Sequence, residues 1–216
     1  MPRPLITLLT LVVTLSVPPL LILANVYALA TPAWWTFQSS QPGFPESVRF
    51  SDADRRYNAT ESIEYVIGNR TYAQFKALNV YDERELKHMV DVRVLIERTR
   101  GFYVIDAILV IAALIVLARR ATSHAARALL NGAIFTIAFF AATGIFAAVG
   151  FQTFFTLFHR LFFEGDTWLF NYTDSLIQFY PLPFWFATSL TLIGATIVEA
   201  VIVGAAGWWW QRKLKT

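Results

Sequence analysis

Apolar positions in this chain fall into four long runs, and the segments between them mix polar, charged and aromatic residues. The runs cover about 5–30, 102–118, 128–151 and 184–210. A helix needs roughly 20 predominantly apolar residues to cross a bilayer, because each backbone polar group must find its partner inside the segment. The pattern therefore predicts an all-α membrane protein with four transmembrane helices, at 1–30, 101–118, 128–151 and 184–210. A first outer loop, 31–100, forms a mostly helical extracytoplasmic cap, and an aromatic-rich second outer loop occupies 152–183. A short connection, 119–127, and a tail, 211–216, remain on the other side. Trp34, Trp35, Trp185 and Trp208 to Trp210 stand near the ends of the runs, where amphipathic rings sit at headgroup level.

Local signals subdivide the cap. The stretch 31–45 is rich in aromatics, Pro and Ser and reads as irregular chain along the membrane interface. Ser51-Asp52-Ala53-Asp54 fits a capping box, opening a helix that ends at Gly68-Asn69. Asp82-Glu83-Arg84-Glu85 is a second helix start, with Asp82 as N-cap and Glu85 three residues on. That helix should run through Glu97 and bend near Arg100-Gly101 into the second span. Pro18-Pro19 should kink the first span, a break that neighbouring helices can make good.

Composition agrees with a lipid environment. Of 216 residues, 56% are hydrophobic and 15% charged, and there is no cysteine. The missing cysteine removes disulfide staples, thiolate metal sites and thiol nucleophiles. A net charge of +3 is too mild to suggest nucleic acid, but its distribution is informative. The 119–127 connection carries three Arg and no acid, and the 211–216 tail carries three more basic residues. Segment 152–183 sets Arg160 against Glu164, Asp166 and Asp174. The ten basic and ten acidic residues of 31–100 cancel. Positive charge beside span ends marks the cytoplasmic side, so both termini are expected inside and both large loops outside. A secretory signal is the alternative for the N-terminus, given Ala28-Leu29-Ala30. The preceding apolar run of about 25 residues exceeds the 7–15 of a signal's core, so retention as a span is expected. Three Asn-x-Thr triplets, at Asn58, Asn69 and Asn171, fall on the outer side, but a disulfide-free loop of this size fits a bacterial membrane at least as well.

Two of the three histidines fall in the outer segments. On a helix, Asp91 lies beside His88, three residues on, where a carboxylate could fix the imidazole tautomer. His159 ends the third apolar region and is followed by aromatics alternating with Asp, Asn and Thr. Both could be interfacial histidines held only by their depth, or they could be acid–base groups beside a greasy wall for acyl chains, with Asp166 or Asp174 serving them. His124 falls in the basic connection. Asp106 lies one turn inside the second span and could join an outer polar site, whereas Glu199 is deep in the fourth with no basic partner. No Gly-x-Ser-x-Gly, His-Glu-x-x-His or phosphate-loop motif occurs, and neither a metal nor a cofactor is expected.

Two segments carry a resemblance. The first is Tyr81 to Val92, with His88-Met89-x-Asp91-Val92 after an acidic helix start. The second is Phe158-His159 to Phe163, then Gly165-x-x-Trp168-x-Phe170, Asp174-x-Leu176-Ile177, Tyr180-Pro181 and Phe184-Trp185. Together they resemble the bacterial lipoprotein intramolecular transacylases, four-span proteins of the cell membrane. The resemblance implies transfer of the sn-2 acyl chain of a diacylglyceryl-cysteine to that cysteine's own α-amino group, giving the lyso-form lipoprotein. It implies His88 and His159 as acid–base pair, Asp91 as orienter, and Asp174 and Trp168 as supporting residues. The expected partners are a diacylated bacterial lipoprotein and membrane lipids, with a monomer sufficient. Two rivals stand beside it: another lipid-directed hydrolase or acyltransferase using the same histidines, and a non-catalytic membrane scaffold.

Overall fold

A computed structural model of the chain describes residues 1–215. Thr216, the end of the expected cytoplasmic tail, lies outside the described residues. Among these, every regular element is helical: α1 (Arg3–Leu29), α2 (Pro32–Ser39), α3 (Asp52–Val66), α4 (Tyr72–Lys76), α5 (Glu83–Arg120), α6 (Thr122–Val149), α7 (Phe151–Phe162), α8 (Ser175–Phe179) and α9 (Leu182–Lys213). Four of these, α1, α5, α6 and α9, are long and apolar enough to cross a membrane.

Local chemistry explains where the elements begin. Ser51 caps α3 by accepting from the Asp54 N–H, as the sequence predicted. At α5 the Asp82 carboxylate accepts from the Glu85 N–H at 2.8 Å, and Glu85 returns the bond to the Asp82 N–H at 3.0 Å. This reciprocal box is the start read from the sequence. Of the stretch 31–45 expected to be irregular, Pro32–Ser39 is instead helical and the rest carries no helix. Thr31 accepts from the Trp34 N–H and Pro32 stands in the first turn, so a Thr-Pro start signal outweighs the aromatic composition. The helix expected to lead through Arg100-Gly101 into the second span does so without a break: α5 is continuous from Glu83 to Arg120. Nor is 119–127 a loop. Ala121 alone separates α5 from α6, because Arg, Ala and Ser there keep their helical bonds.

The chain divides into two compact units. One comprises Met1–Val26, Arg100–Phe146 and the chain from Thr191 onward. Here small residues let backbones approach: a Cβ on Gly132 would stand 2.8 Å from Val17, and one on Gly207 would stand 2.9 Å from the Ala126 carbonyl. Its two membrane-depth carboxylates both have uncharged partners. Ser16 donates to Asp106 at 2.7 Å, and the Asn25 amide donates to Glu199 at 2.8 Å.

The other unit comprises Tyr27–Thr99 and Ala147–Leu190. It has an aromatic core in which Trp35, Tyr65, Phe75 and Phe179 are almost wholly buried. Tyr65 and Phe75 stack at 4.4 Å, and the Trp35 indole N–H donates to the Phe179 carbonyl at 2.9 Å. Tyr180 donates to the Ala59 carbonyl at 2.6 Å. Trp35 and Tyr180 thus remove large apolar areas while their polar edges keep partners. Asn58, within one of the Asn-x-Thr triplets, is buried here and donates to the Asp54 carbonyl, so it offers no accessible glycan acceptor.

Candidate active site

The first turns of α5 turn Glu85, Leu86, His88 and Met89 inward, because positions three and four apart share a face. His159 occupies the buried side of α7, one turn from its C-terminus. These two helices bring the histidines together. Their ring centroids are 6.0 Å apart with planes inclined by 26°, and no hydrogen bond joins them. Aromatic rings close the surroundings. His88 lies 4.9 Å from Phe163 and 5.4 Å from Phe170, which meets it edge-on. His159 packs 4.1 Å from Phe155 and 5.1 Å from Trp168. The Trp168 indole is held by donating to the Gly165 carbonyl at 3.0 Å, in a turn where Gly165 takes a left-handed φ of 66°.

The two imidazoles are not equivalent. His159 Nδ1 lies 2.8 Å from the Phe155 carbonyl oxygen. A carbonyl can only accept, so Nδ1 carries the hydrogen, and in the neutral ring Nε2 keeps the lone pair. His88 Nδ1 is buried without a hydrogen-bond partner. Burial lowers the pKa of both. For His88, burial first and the nearby His159 second bring it down to about 4. For His159, burial lowers it, and the bond to Phe155 opposes the shift. Burial thus favours the neutral form of both rings.

A clamp outside this nest ties the second loop to the start of α5. Arg84 donates to Asp174 at 2.7 Å, and its guanidinium lies 5.3 Å over the Phe170 ring that faces His88. Asp174 also accepts from the Asn171 N–H at 2.7 Å. Glu85, almost fully buried, accepts from the Leu176 N–H at 2.8 Å while closing its own capping box. Burial raises the Glu85 pKa against those two bonds. The Ser175 hydroxyl donates to the Val80 carbonyl beside it.

The expected site residues fare differently. His88, His159 and Trp168 come together. Asp174 stands nearby but serves Arg84 and the loop backbone, and makes no bond to a histidine. Asp91 is half-buried and makes no hydrogen bond to His88, so the orienting carboxylate foreseen for that ring is not in place. Asp106 belongs to the other unit, bonded by Ser16. Among the described residues no cluster of three His, Asp or Glu side chains could hold a metal. Residues the sequence reading did not single out for the site complete it: Arg84 and Glu85 in the clamp, and Phe155, Phe163 and Phe170 against the rings.

Comparison with known proteins adds the family. The profile described as lipoprotein intramolecular transacylase Lit matches residues 6–185. An uncharacterized protein of Aquifex aeolicus (strain VF5) is 24% identical over 186 residues, 83% of each chain. The membrane integral lipoprotein intramolecular transacylase Lit of Bacillus cereus shares the fold at a TM-score of 0.88 and 21% identity, over 99% of both chains. A variant of that protein with one histidine replaced by arginine matches at 0.78 and 20% identity, over 97% of this chain and 93% of the other.

Proposed function

The chain belongs to the lipoprotein intramolecular transacylase family, and on that premise we propose that it moves the sn-2 acyl chain of a diacylglyceryl-cysteine to the α-amino group of the same cysteine. The lyso-form lipoprotein is the product. The observation that carries this reading is the convergence of His88 and His159 in an apolar, aromatic nest.

The residues suit the chemistry. Nucleophile and ester belong to one substrate molecule, so holding them close supplies much of the acceleration and no enzyme nucleophile is required. An α-amino group, of pKa about 7.7–8.0, must be neutral to attack. As its nitrogen bonds to the ester carbonyl carbon, His159 Nε2, with its lone pair free, takes the amine proton. The carbon–oxygen ester bond then breaks, the electron pair goes to the glyceryl oxygen, and an imidazolium returns the proton there. His88 assists this second transfer through its unpartnered Nδ1. Low imidazole pKa values help, because an imidazolium formed in such surroundings is a strong acid toward an alkoxide. The rings around the histidines form an apolar wall for the migrating acyl chain. Trp168 supports the reaction by packing on His159, and Asp174 by anchoring Arg84. Asp91 is a polar neighbour on the same helix rather than an orienter.

We assign 31–100 and 152–183 to the outer face of a bacterial cell membrane, with the termini on the cytoplasmic side and a single chain sufficient for activity. The acid-free, Arg-rich 119–127 segment supports this orientation.

Mass spectrometry of the N-terminal peptide of a lipoprotein from cells carrying the chain tests the reading. Acyl migration leaves total mass unchanged and frees the glyceryl hydroxyl, whereas the hydrolase rival removes one acyl chain. Unmigrated, fully diacylated product in cells expressing active-site-intact protein would overturn the proposal.

A further inference from the structure

We propose that the basic end of the spanning bundle is a binding site for the headgroup of anionic phospholipid, distinct from the histidine site. Core contacts bring four helix ends together within one unit. Ile6 and Leu9 of α1, Leu117 of α5, Leu129 of α6 and Trp210 of α9 pack into a single cluster around Val13 and Ala125. Gly207 of α9 approaches the α6 backbone so closely that a Cβ would meet both the Ala126 oxygen and the Leu130 nitrogen at 2.9 Å. The cationic residues at those ends, Arg3, Arg119, Arg120, Arg127, Arg212 and Lys213, therefore share one end of the unit, and all are exposed.

The sequence places no acidic side chain close to those ends. Between residues 1 and 45, 107 and 163, and 200 and 216 the sequence contains no Asp or Glu. Two of the cations are also held in place. The Arg212 guanidinium sits 4.0 Å over the Trp208 ring, and the Lys213 ammonium 3.8 Å over the Trp209 ring, each one helical turn away. Trp208 and Trp209 are themselves about half exposed. Indoles at headgroup level with cations parked on their faces offer a phosphate two things at once: oriented positive charge and apolar flanks for the first acyl carbons. A zwitterionic headgroup brings its own ammonium and gains less from this surface. An anionic phospholipid is the occupant whose charge and amphipathy both match.

The test uses the purified full chain in phosphatidylcholine bilayers, with spin-labelled phosphatidylglycerol or spin-labelled phosphatidylcholine as probe. The wild type is expected to hold the anionic probe several-fold more strongly, and to lose that preference as salt rises from about 0.05 to 0.5 M, where the Debye length shrinks to a few ångströms. Arg212→Gln with Lys213→Gln should remove most of the preference. Arg56→Gln with Arg98→Gln, an equal charge change elsewhere, should leave it. Trp208→Leu with Trp209→Leu keeps every charge and should weaken retention of the anionic probe. Equal retention of the two probes by the wild type overturns the proposal, and so does an equal loss in the Arg56/Arg98 pair. The salt series needs no variant, so a misfolded mutant does not protect the idea. Lipid preference is read without any lipoprotein, so its failure leaves the acyl-transfer reading untouched, and the reverse also holds.

Discussion

The two units hold titratable groups in different ways. In the spanning bundle, Asp106 and Glu199 are met by uncharged donors, Ser16 and Asn25, from α1. In the histidine unit, His159 Nδ1 donates to a backbone carbonyl, His88 Nδ1 has no hydrogen-bond partner, and aromatic rings pack around both. Hydrogen bonding to a buried polar group stabilises a fold, and leaving it open keeps that group free for something else. Glu85 lies between these cases. It is in the histidine unit, one turn before His88, yet it is satisfied by two backbone N–H groups and ties the second loop to α5. The contrast predicts that loss of an open histidine removes chemistry without loosening the fold, and that loss of a satisfied carboxylate does the reverse.

The largest expected effect follows from the histidines. His159→Ala or His88→Ala should lower lyso-form production by about 10²–10⁴-fold, the range of acid–base assistance, with thermal unfolding in detergent little changed. If both variants retain near-wild-type conversion, the nest is only an interfacial anchor. Glu85→Ala comes second. It leaves the Leu176 and Asp82 N–H groups bare, and a buried donor without a partner costs about 1–3 kcal/mol. A lowered Tm with slower conversion is expected, and Glu85→Gln, which keeps an acceptor, should recover much of the Tm. Equal Tm values for Glu85→Ala and the wild type would remove the clamp from the account.

The sequence carried the architecture because lipid imposes a strong pattern: four apolar runs were readable and four spanning helices are present. The α5 start was readable because Asp82 and Glu85 form a local box. Other features depended on geometry that no short window contains. Asp91 lies three residues from His88, but at 3.6 residues per turn it points about 60° away around the helix. His88 faces inward with Glu85 and Met89, and Phe163 and Phe170 take the space beside its ring. The pairing of His88 with His159 joins segments distant in sequence. Resemblance to a family indicated it; periodicity could not. The Arg84–Asp174 bond is of the same long-range kind, and its consequence for Phe170 appears only once the loop is folded back.

That ion pair should contribute less than its geometry suggests. The Arg84 side chain is 39% exposed, so a double-mutant cycle with Arg84→Ala and Asp174→Ala should give a coupling of under about 1 kcal/mol. Its influence should fall on how firmly substrate is held beside Phe170 more than on the chemical step. Protons give a related effect on stability. The folded-state pKa of His88 is depressed, to about 4 from an ordinary 6.5, so the unfolded chain takes up the proton first. Its contribution to stability is therefore intact above pH 6.5 and declines as pH falls toward 4. Denaturation midpoints measured across that window should fall more in the wild type than in His88→Gln.

The smallest effect is expected at Asp106, and it probes the comparison from the other side. Its Oδ1 accepts from Ser16, while its Oδ2 is buried without a partner. That leaves it half open, like His88. Openness alone would then make Asp106 a participant in the reaction. What separates the two positions is the neighbour each one has: His88 has His159 in ring contact, whereas Asp106 accepts from the uncharged Ser16 hydroxyl in its own unit. Asp106→Asn keeps an acceptor for Ser16 and replaces the unpartnered oxygen with an amide of the same shape. Lyso-form production within about twofold of wild type is expected, since volume-conserving changes away from a reaction centre perturb little. A loss beyond tenfold, with Tm unchanged, would mean that the reaction draws on the Asp106 carboxyl as well as on the histidines.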